Sequence, residues 1–375
     1  MKPTSELELA ELIADAKTPL QIKGGGTRLM GLPDGNVLDT SGLCGITLYE
    51  PGALTLVAQA GTPIAEIETA LAAENQRLAF EPADLRDVLG TSGTSTLGGV
   101  AASNASGPRR ISAGACRDFM LGVRFVDGLG DVVKNGGRVM KNVTGYDLVK
   151  LMSGAHGTLG VLSEVSIKVL PSVEMQLCLR IKGLDPLRAV AAMSAALGSP
   201  FEVSGAAYDV NGAVSLRLEG FEASVRYRAA QLVGVLAEFG PIEALDDQDL
   251  CTQIWCDIRD ARRFKNTQGD LWRISVKPSD APDLLSVLNP SQAQLDWGGG
   301  LIWLTMPSGT DVRAKMTVAG HATLMRASAD TFSTRARFHP EPAPITKLSA
   351  DLRARFDPIA LLNPGLMGAC HEDRI

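Results

Sequence analysis

Leu20-Gln21-Ile22-Lys23 alternates as a short strand and runs directly into Gly24-Gly25-Gly26-Thr27. Two later stretches share that chemistry: Thr96-Leu97-Gly98-Gly99-Val100-Ala101-Ala102-Ser103-Asn104 and Gly154-Ala155-His156-Gly157-Thr158-Leu159-Gly160-Val161. Each offers consecutive backbone N–H groups with little side-chain bulk in the way, and each adds a hydroxyl or amide. Successive N–H groups folded into a concavity hold an anion without any formal positive charge. One such loop after a strand is ordinarily a turn. Three of them flanking strands within a single segment point to one anion-binding surface, as expected for a pyrophosphate.

Composition makes that local solution necessary. Lys plus Arg number 36 against 42 Asp plus Glu, a net charge of −6, so no basic field for nucleic acid or anionic lipid exists. The chain has 375 residues, 45% hydrophobic and 21% charged, which excludes whole-chain disorder, collagen and disulfide mini-scaffolds and suggests two domains. Its six cysteines form no CxxC pair, and Cys251 and Cys256 have neither zinc nor iron–sulfur spacing. Scattered thiols fit a reducing cytoplasm. The opening MKPTSELELAELIADA lacks the pattern of a secretory signal, and no apolar run is long enough to span a bilayer. A cytoplasmic location is the expectation.

Outward from the first glycine loop, Thr4 or Ser5 caps a helix whose stripe is Leu7, Leu9, Leu12 and Ile13. Leu54–Ala58 reads as a strand, and Pro63 opens a helix over 64–75. Short strands and turns then alternate as far as Pro171. Beyond it the texture repeats. Residues 175–182, 203–209 and 213–219 read as strands, with helices at 186–198 and 223–239. A second set follows, with strands at 271–276, 292–296 and 301–306, helices at 280–288 and 309–319, and a further strand from His321. Both halves run strand–helix–strand–strand–helix, a split βαβ unit used twice. The stretch 346–370 begins helically and can return to the first domain.

No G-x-x-x-x-G-K-[ST] occurs, and no G-x-G-x-x-G opens a helix with an acid ~20 residues on, so neither a P-loop nor a Rossmann nicotinamide site is supported. The run from Pro19 to Pro171 instead resembles the FAD-binding domain of the vanillyl-alcohol oxidase and p-cresol methylhydroxylase (PCMH) superfamily. The matching pieces are IKGGGTRLMG (22–31), LTLVAQAGTPIAEIETAL (54–71), STLGGVAASNASGPRRISAGACRDFMLGVRFVDGLGDVV (95–133) and KNVTGYDLVKLMSGAHGTLGVLSEVSIKVLP (141–171), in family order. FDPIALLNPG (356–365) resembles the closing segment. Overall size, the LWRISV strand and Ala319–Leu324 are most similar to the family of FAD-binding E subunits of bacterial glycolate oxidases. The resemblance implies an α+β fold. A PCMH-type FAD-binding domain of two αβ subdomains would span 1–171. An α+β cap with a duplicated ferredoxin-like antiparallel sheet would span 172–345, and 346–375 would return to the FAD domain.

By the same resemblance, Lys23, Gly24, Gly25, Gly26, Thr27 and Gly31 would line the pyrophosphate loop. Thr96, Gly98, Gly99, Ala102 and Ser103 would continue it along the flavin. Gly157, Gly160 and Val161 would hold the adenine–ribose end, and Asn363 and Gly365 would approach the ring. Relatives with covalent flavin often place a His in or near the first loop. Here no His precedes position 156, which implies non-covalent FAD. The family often has Glu where His156 stands.

Oxidising a 2-hydroxy acid requires a carboxylate anchor and a base. Related dehydrogenases carry an H-x-G-D-G-N-x-H motif in the cap. This chain has Trp297-Gly298-Gly299-Gly300-Leu301-Ile302-Trp303 as its only glycine-rich cap stretch, without a titratable group. His321 is the local base candidate, with Arg273 and Arg326 as carboxylate anchors; the plainer alternative for His321 is to satisfy a backbone group where a helix turns into a strand, and for Arg273 to be a sheet-edge or partner-facing charge. No metal site is expected. The expected function is that of the FAD-binding subunit in a multi-subunit glycolate oxidase. Its partners would be a related flavoprotein catalytic subunit and an iron–sulfur subunit, and a complex feeding quinones would sit peripherally at the inner membrane. A self-sufficient lactate-type dehydrogenase and a structural subunit without redox turnover are the alternatives.

Overall fold

The computed structural model describes residues 1–28, 35–138, 145–210 and 212–368. Gly31 lies outside the described residues. The strands are β1 (Leu20–Lys23), β2 (Asn36–Asp39), β3 (Ile46–Glu50), β4 (Thr55–Gln59), β5 (Gln76–Arg77), β6 (Met120–Val126), β7 (Val132–Gly136), β8 (Val161–Lys168) and β9 (Leu170–Pro171). They continue as β10 (Met175–Lys182), β11 (Gly205–Asp209), β12 (Ala213–Gly220), β13 (Ile242–Leu245), β14 (Asp270–Val276), β15 (Gln292–Asp296), β16 (Leu301–Met306) and β17 (Gly320–Arg326).

The first part holds a parallel pair, β1 and β2, and an antiparallel five-stranded sheet in the order β3-β4-β8-β6-β7. Ser5 caps the first helix, Glu6–Ala14, by accepting from the Glu8 amide, and Leu9 and Ile13 bury its inner face. These pack with Leu20, Leu38, Leu43, Leu361 and Leu362 into a small core. The chain's last described segment is therefore part of the first sheet's core. Burying a leucine contributes ~1.5–3 kcal/mol, so Leu361 and Leu362 anchor the return. Leu362 also bridges Leu20 in parallel, and the Asp357 carboxylate accepts from the Leu361 and Leu362 amides at 2.8 and 2.7 Å.

The second part is one eight-stranded antiparallel sheet, ordered β13-β10-β12-β11-β15-β16-β14-β17. Each half is a βαββαβ unit, and the two join through their second strands, Tyr208 against Leu295 and Asp209 against Gln294. The duplication expected from the sequence is thus a mirror-like fusion at edge strands, which leaves fewer open edges. Helices Pro186–Leu197, Glu222–Val235 and Ala281–Leu288 bury Val190, Met193, Leu232 and Leu284 on it, around Trp272 and Leu216.

Three elements differ from the sequence reading. The expected helix at 309–319 shrinks to Val312–Lys315: Asp311 caps it late, and Met316 is already extended before the β-branched Thr317 and Val318. The fourth strand of the first half, β13, and the helix Gln248–Arg259 were not anticipated. That helix carries the apolar face of Cys251 and Trp255 behind the cap Asp247.

Candidate functional site

The three glycine loops converge on one hollow that is open to solvent. Of the residues named from sequence, it is lined by Gly24, Gly25, Gly26, Thr27, Thr96, Gly98, Gly99, Ala102, Ser103, Gly157, Gly160, Val161 and Asn363. Lys23 and Gly365 are not in the lining. Lys23 instead lies beside the first loop, its Cε 3.0 Å from where a Cβ on Gly26 would sit.

Close packing between loops explains why side chains are absent. A Cβ on Gly25 would come within 1.5 Å of the Thr94 carbonyl oxygen, and one on Gly24 within 2.7 Å of Thr96 Oγ1. The Gly24, Gly25, Gly26 and Thr27 amides donate to no other described residue. That row of unspent N–H groups in a concavity is what a diphosphate needs. The Thr96 hydroxyl is already committed, accepting from the Gly99 amide at 3.3 Å and capping the helix Leu97–Ala102.

Asn363 ties the hollow together. With φ +44° its backbone is left-handed, a conformation asparagine tolerates. Its Oδ1 accepts from the Ile22 amide at 2.8 Å, and its Nδ2 donates to the His156 carbonyl at 2.8 Å. The third loop is thus fastened to the strand leading into the first.

Sequence reasoning missed several lining residues. Arg28 is the one permanent cation among those described. Its guanidinium donates to Ser95 Oγ at 2.9 Å, to Thr27 Oγ1 at 3.2 Å and to the Ala83 carbonyl. Burial lowers its pKa to about 10. Its position directly after the GGGT loop was the available signal. His156 also lines the hollow; burial pulls its imidazole down to about 4, so it is neutral near pH 7, with its ring 5.2 Å from that of Phe338. Ile22, Ala60, Met152 and Leu162 supply apolar wall.

The three residues named for chemistry are not in this lining. His321 is exposed on β17, its ring 5.6 Å from that of His339. Arg326 spends its guanidinium on the carbonyls of Val88, Phe264 and Thr267 and on Thr267 Oγ1, at 2.6–3.1 Å. Arg273 sits over Trp297, 5.2 Å from the ring centroid. Among the described residues, no group of three or more His, Cys, Asp or Glu could hold a metal ion, and no helix is long and apolar enough to cross a membrane.

The two parts are joined by buried charges. Arg217 of β12 donates twice to Glu81, at 2.9 Å each, and Arg109 bridges Glu81 and Glu219 at 2.7 and 2.6 Å. Arg77 adds a further bond to Glu219 at 3.0 Å. Burial opposes the charged form of both carboxyls, but the facing guanidiniums hold each well below the usual range.

The chain is similar to several known proteins. An FAD binding domain model matches residues 1–136. The glycolate oxidase subunit GlcE of Escherichia coli is 37% identical over 96% of both chains. The glycolate oxidase subunit GlcD of Bacillus subtilis is 31% identical over 44% of this chain and 34% of its own. A D-lactate dehydrogenase of Archaeoglobus fulgidus is 31% identical over 46% and 39%. Among solved structures, alkyldihydroxyacetonephosphate synthase has the same fold, with a TM-score of 0.70 over 97% of this chain and 76% of its own at 16% identity. With this identity maintained from end to end, the chain is an FAD-linked oxidoreductase that belongs to the family of the glycolate oxidase subunit GlcE.

Proposed function

We propose that this chain binds FAD non-covalently in the glycine-loop hollow and serves as the FAD-binding subunit of a multi-subunit glycolate oxidase. In that complex glycolate becomes glyoxylate, and electrons pass to an iron–sulfur subunit. The observation that carries the reading is the convergence of three loops on one hollow, with the Gly24–Thr27 amides donating to no other described residue. On this reading 1–171 is the FAD-binding part, 172–345 the cap and 346–375 the returning segment.

Bound FAD supplies a two-electron acceptor. The chain's own residues bind and orient. The amides of Gly24, Gly25, Gly26 and Thr27 meet the diphosphate, with Lys23 beside them. Thr96, Gly98, Gly99, Ala102 and Ser103 flank the flavin. Gly157, Gly160 and Val161 meet the adenosine end, and Asn363 keeps that loop in register with β1. Neutral His156 and the apolar wall add no counter-charge. Arg28 offsets part of the cofactor's negative charge.

Proton removal is the weak point of this chain. The turn Trp297–Gly300 carries no base, and the base candidate His321 lies outside the hollow's lining. A second, related flavoprotein subunit with a titratable group at its own cap turn would complete the chemistry. Such a complex would meet quinones from the membrane surface while remaining on the cytoplasmic side.

Purifying the chain, recording its visible spectrum and then precipitating it with acid tests the reading. A flavin band whose FAD is released into the supernatant is expected. Colourless protein that takes up no added FAD would overturn it, and flavin retained in the pellet would overturn the non-covalent part.

A further inference from the structure

Trp297 occupies a sparsely populated conformation: φ is +55°, and Gly298 and Gly299 follow at +68° and +107°. Left-handed backbone at a bulky residue costs energy and persists where the surroundings over-determine it, commonly at ligand sites. Here the turn is locked across the seam between the two parts of the molecule. The Trp297 indole donates to the Gly107 carbonyl at 3.1 Å, and a Cβ on Gly298 would sit 3.5 Å from Ile111.

Two arginines from opposite sides of that seam meet the indole. The Arg110 guanidinium is 4.7 Å from the ring centroid and that of Arg273 is 5.2 Å. Each is partly covered, and among the described residues neither guanidinium donates a hydrogen bond to another residue or enters an ion pair. Like charges gathered in a partly desolvated place oppose each other, and burial together with Arg110 lowers the Arg273 pKa to about 10. The acid nearest in effect, Asp296, offsets them only in part. It accepts from the Trp297 amide at 2.7 Å, and burial raises its pKa to about 7. Asp118, which acts on Arg110, is already paired with the exposed Arg117. Guanidiniums held at an aromatic ring without an ion-pair partner are a recognition surface for a planar anion: the fork of each matches a carboxylate, and the indole stabilises the cation.

We infer that Arg110, Trp297 and Arg273 form a carboxylate-binding site at the seam between the FAD-binding part and the cap. Its assignment to a 2-hydroxy acid rests on the function proposed above. The site replaces the base-bearing cap turn with an anion anchor, so this chain grips the acid without taking its proton. Arg110, invisible as a site residue in the sequence, supplies the half of the grip that the cap lacks.

Calorimetric titration of the purified chain with oxalate tests this, since oxalate is a planar dicarboxylate with no C–H bond to oxidise. Flavin content is measured on the same sample. Single-site binding is expected, weakened at least about tenfold in Arg110→Met and in Arg273→Met, a loss of ~1.4 kcal/mol or more. The exposed Arg117→Met should bind as the parent does. Because the two arginines lie on separate elements, loss of folding in one variant leaves the other informative. No heat from oxalate in the parent protein, or unchanged binding in a folded variant of either arginine, would overturn the site. Sulfate binding as tightly as oxalate would overturn its selectivity for carboxylate. Oxalate bound by chain that takes up no added FAD would uphold the site and remove the FAD reading. Flavin-loaded chain indifferent to oxalate would remove the site alone.

Discussion

The Asn363 side-chain amide donates to the main-chain carbonyl of His156 at 2.8 Å, across a sequence gap of 207 residues. The same side chain accepts from the Ile22 amide. The far end of the chain therefore sets the distance between the first and third glycine loops, and cofactor affinity depends on a residue well outside both.

Asn363→Ala removes both bonds and leaves a partly buried donor and acceptor without partners, each costing ~1–3 kcal/mol. It also places alanine at a positive φ. FAD affinity should fall at least about tenfold, with a lower melting temperature that added FAD partly restores. Fluorescence titration of the stripped protein with FAD measures the first effect and a thermal melt the second.

Gly25→Ala would force a Cβ onto the Thr94 carbonyl oxygen. Overpacking of this kind costs ~1–3 kcal/mol or more and opens the first loop, so the variant should purify with little flavin. Gly52→Ala is the control, because nothing lies within 4 Å of its added Cβ. Its flavin content should match that of the parent. Equal loading of both variants would contradict the role given to the loop.

Arg217→Met strands Glu81 and Glu219 as buried carboxylates with one guanidinium fewer between them. Breaking a buried pair from one side costs ~3–5 kcal/mol, and urea unfolding should show a loss of that order. Exposed Arg226→Met, which removes only surface pairs with Glu222 and Asp246, should cost under about 1 kcal/mol.

His156 gives the stability a pH signature. Its folded pKa is near 4 against an ordinary 6.5, so the unfolded chain binds the proton first. The contribution is whole above about pH 6.5 and is lost progressively as pH falls from there toward 4. At 1.36 kcal/mol per unit this is on the order of 3 kcal/mol. The carboxylates held down by Arg217 and Arg109 lose their contribution only below their unfolded value of 4.5. His156→Asn, which keeps the left-handed backbone, should flatten the stability profile between pH 6.5 and 4.5 and leave the steeper fall below it.

Local pattern made most of the architecture legible. Strands 292–296 and 301–306 stand on either side of the turn glycines, where the sequence puts them, because their own residues carry the signal. β13 was hidden because Ile242-Glu243-Ala244-Leu245 is a short, half-exposed edge whose partner is supplied by β10. The glycine loops were readable as an anion surface since their chemistry is in the backbone. Arg28, His156 and Arg110 were not. Whether an arginine faces a cofactor hollow, a carboxylate or an indole is fixed by partners from distant segments, here Ser95, Phe338 and Trp297. The candidate base and one candidate anchor failed to reach the hollow for the same reason: His321 is a strand-edge residue, and the donors of Arg326 are taken by carbonyls and by Thr267 Oγ1.

Hydrogen–deuterium exchange of the stripped chain, with and without added FAD, tests the central claim most directly. The account predicts slowed exchange at the amides of Gly24–Thr27 together with those around Gly157 and Gly160, in the same titration. FAD that binds while the Gly24–Thr27 amides exchange as fast as before would contradict it.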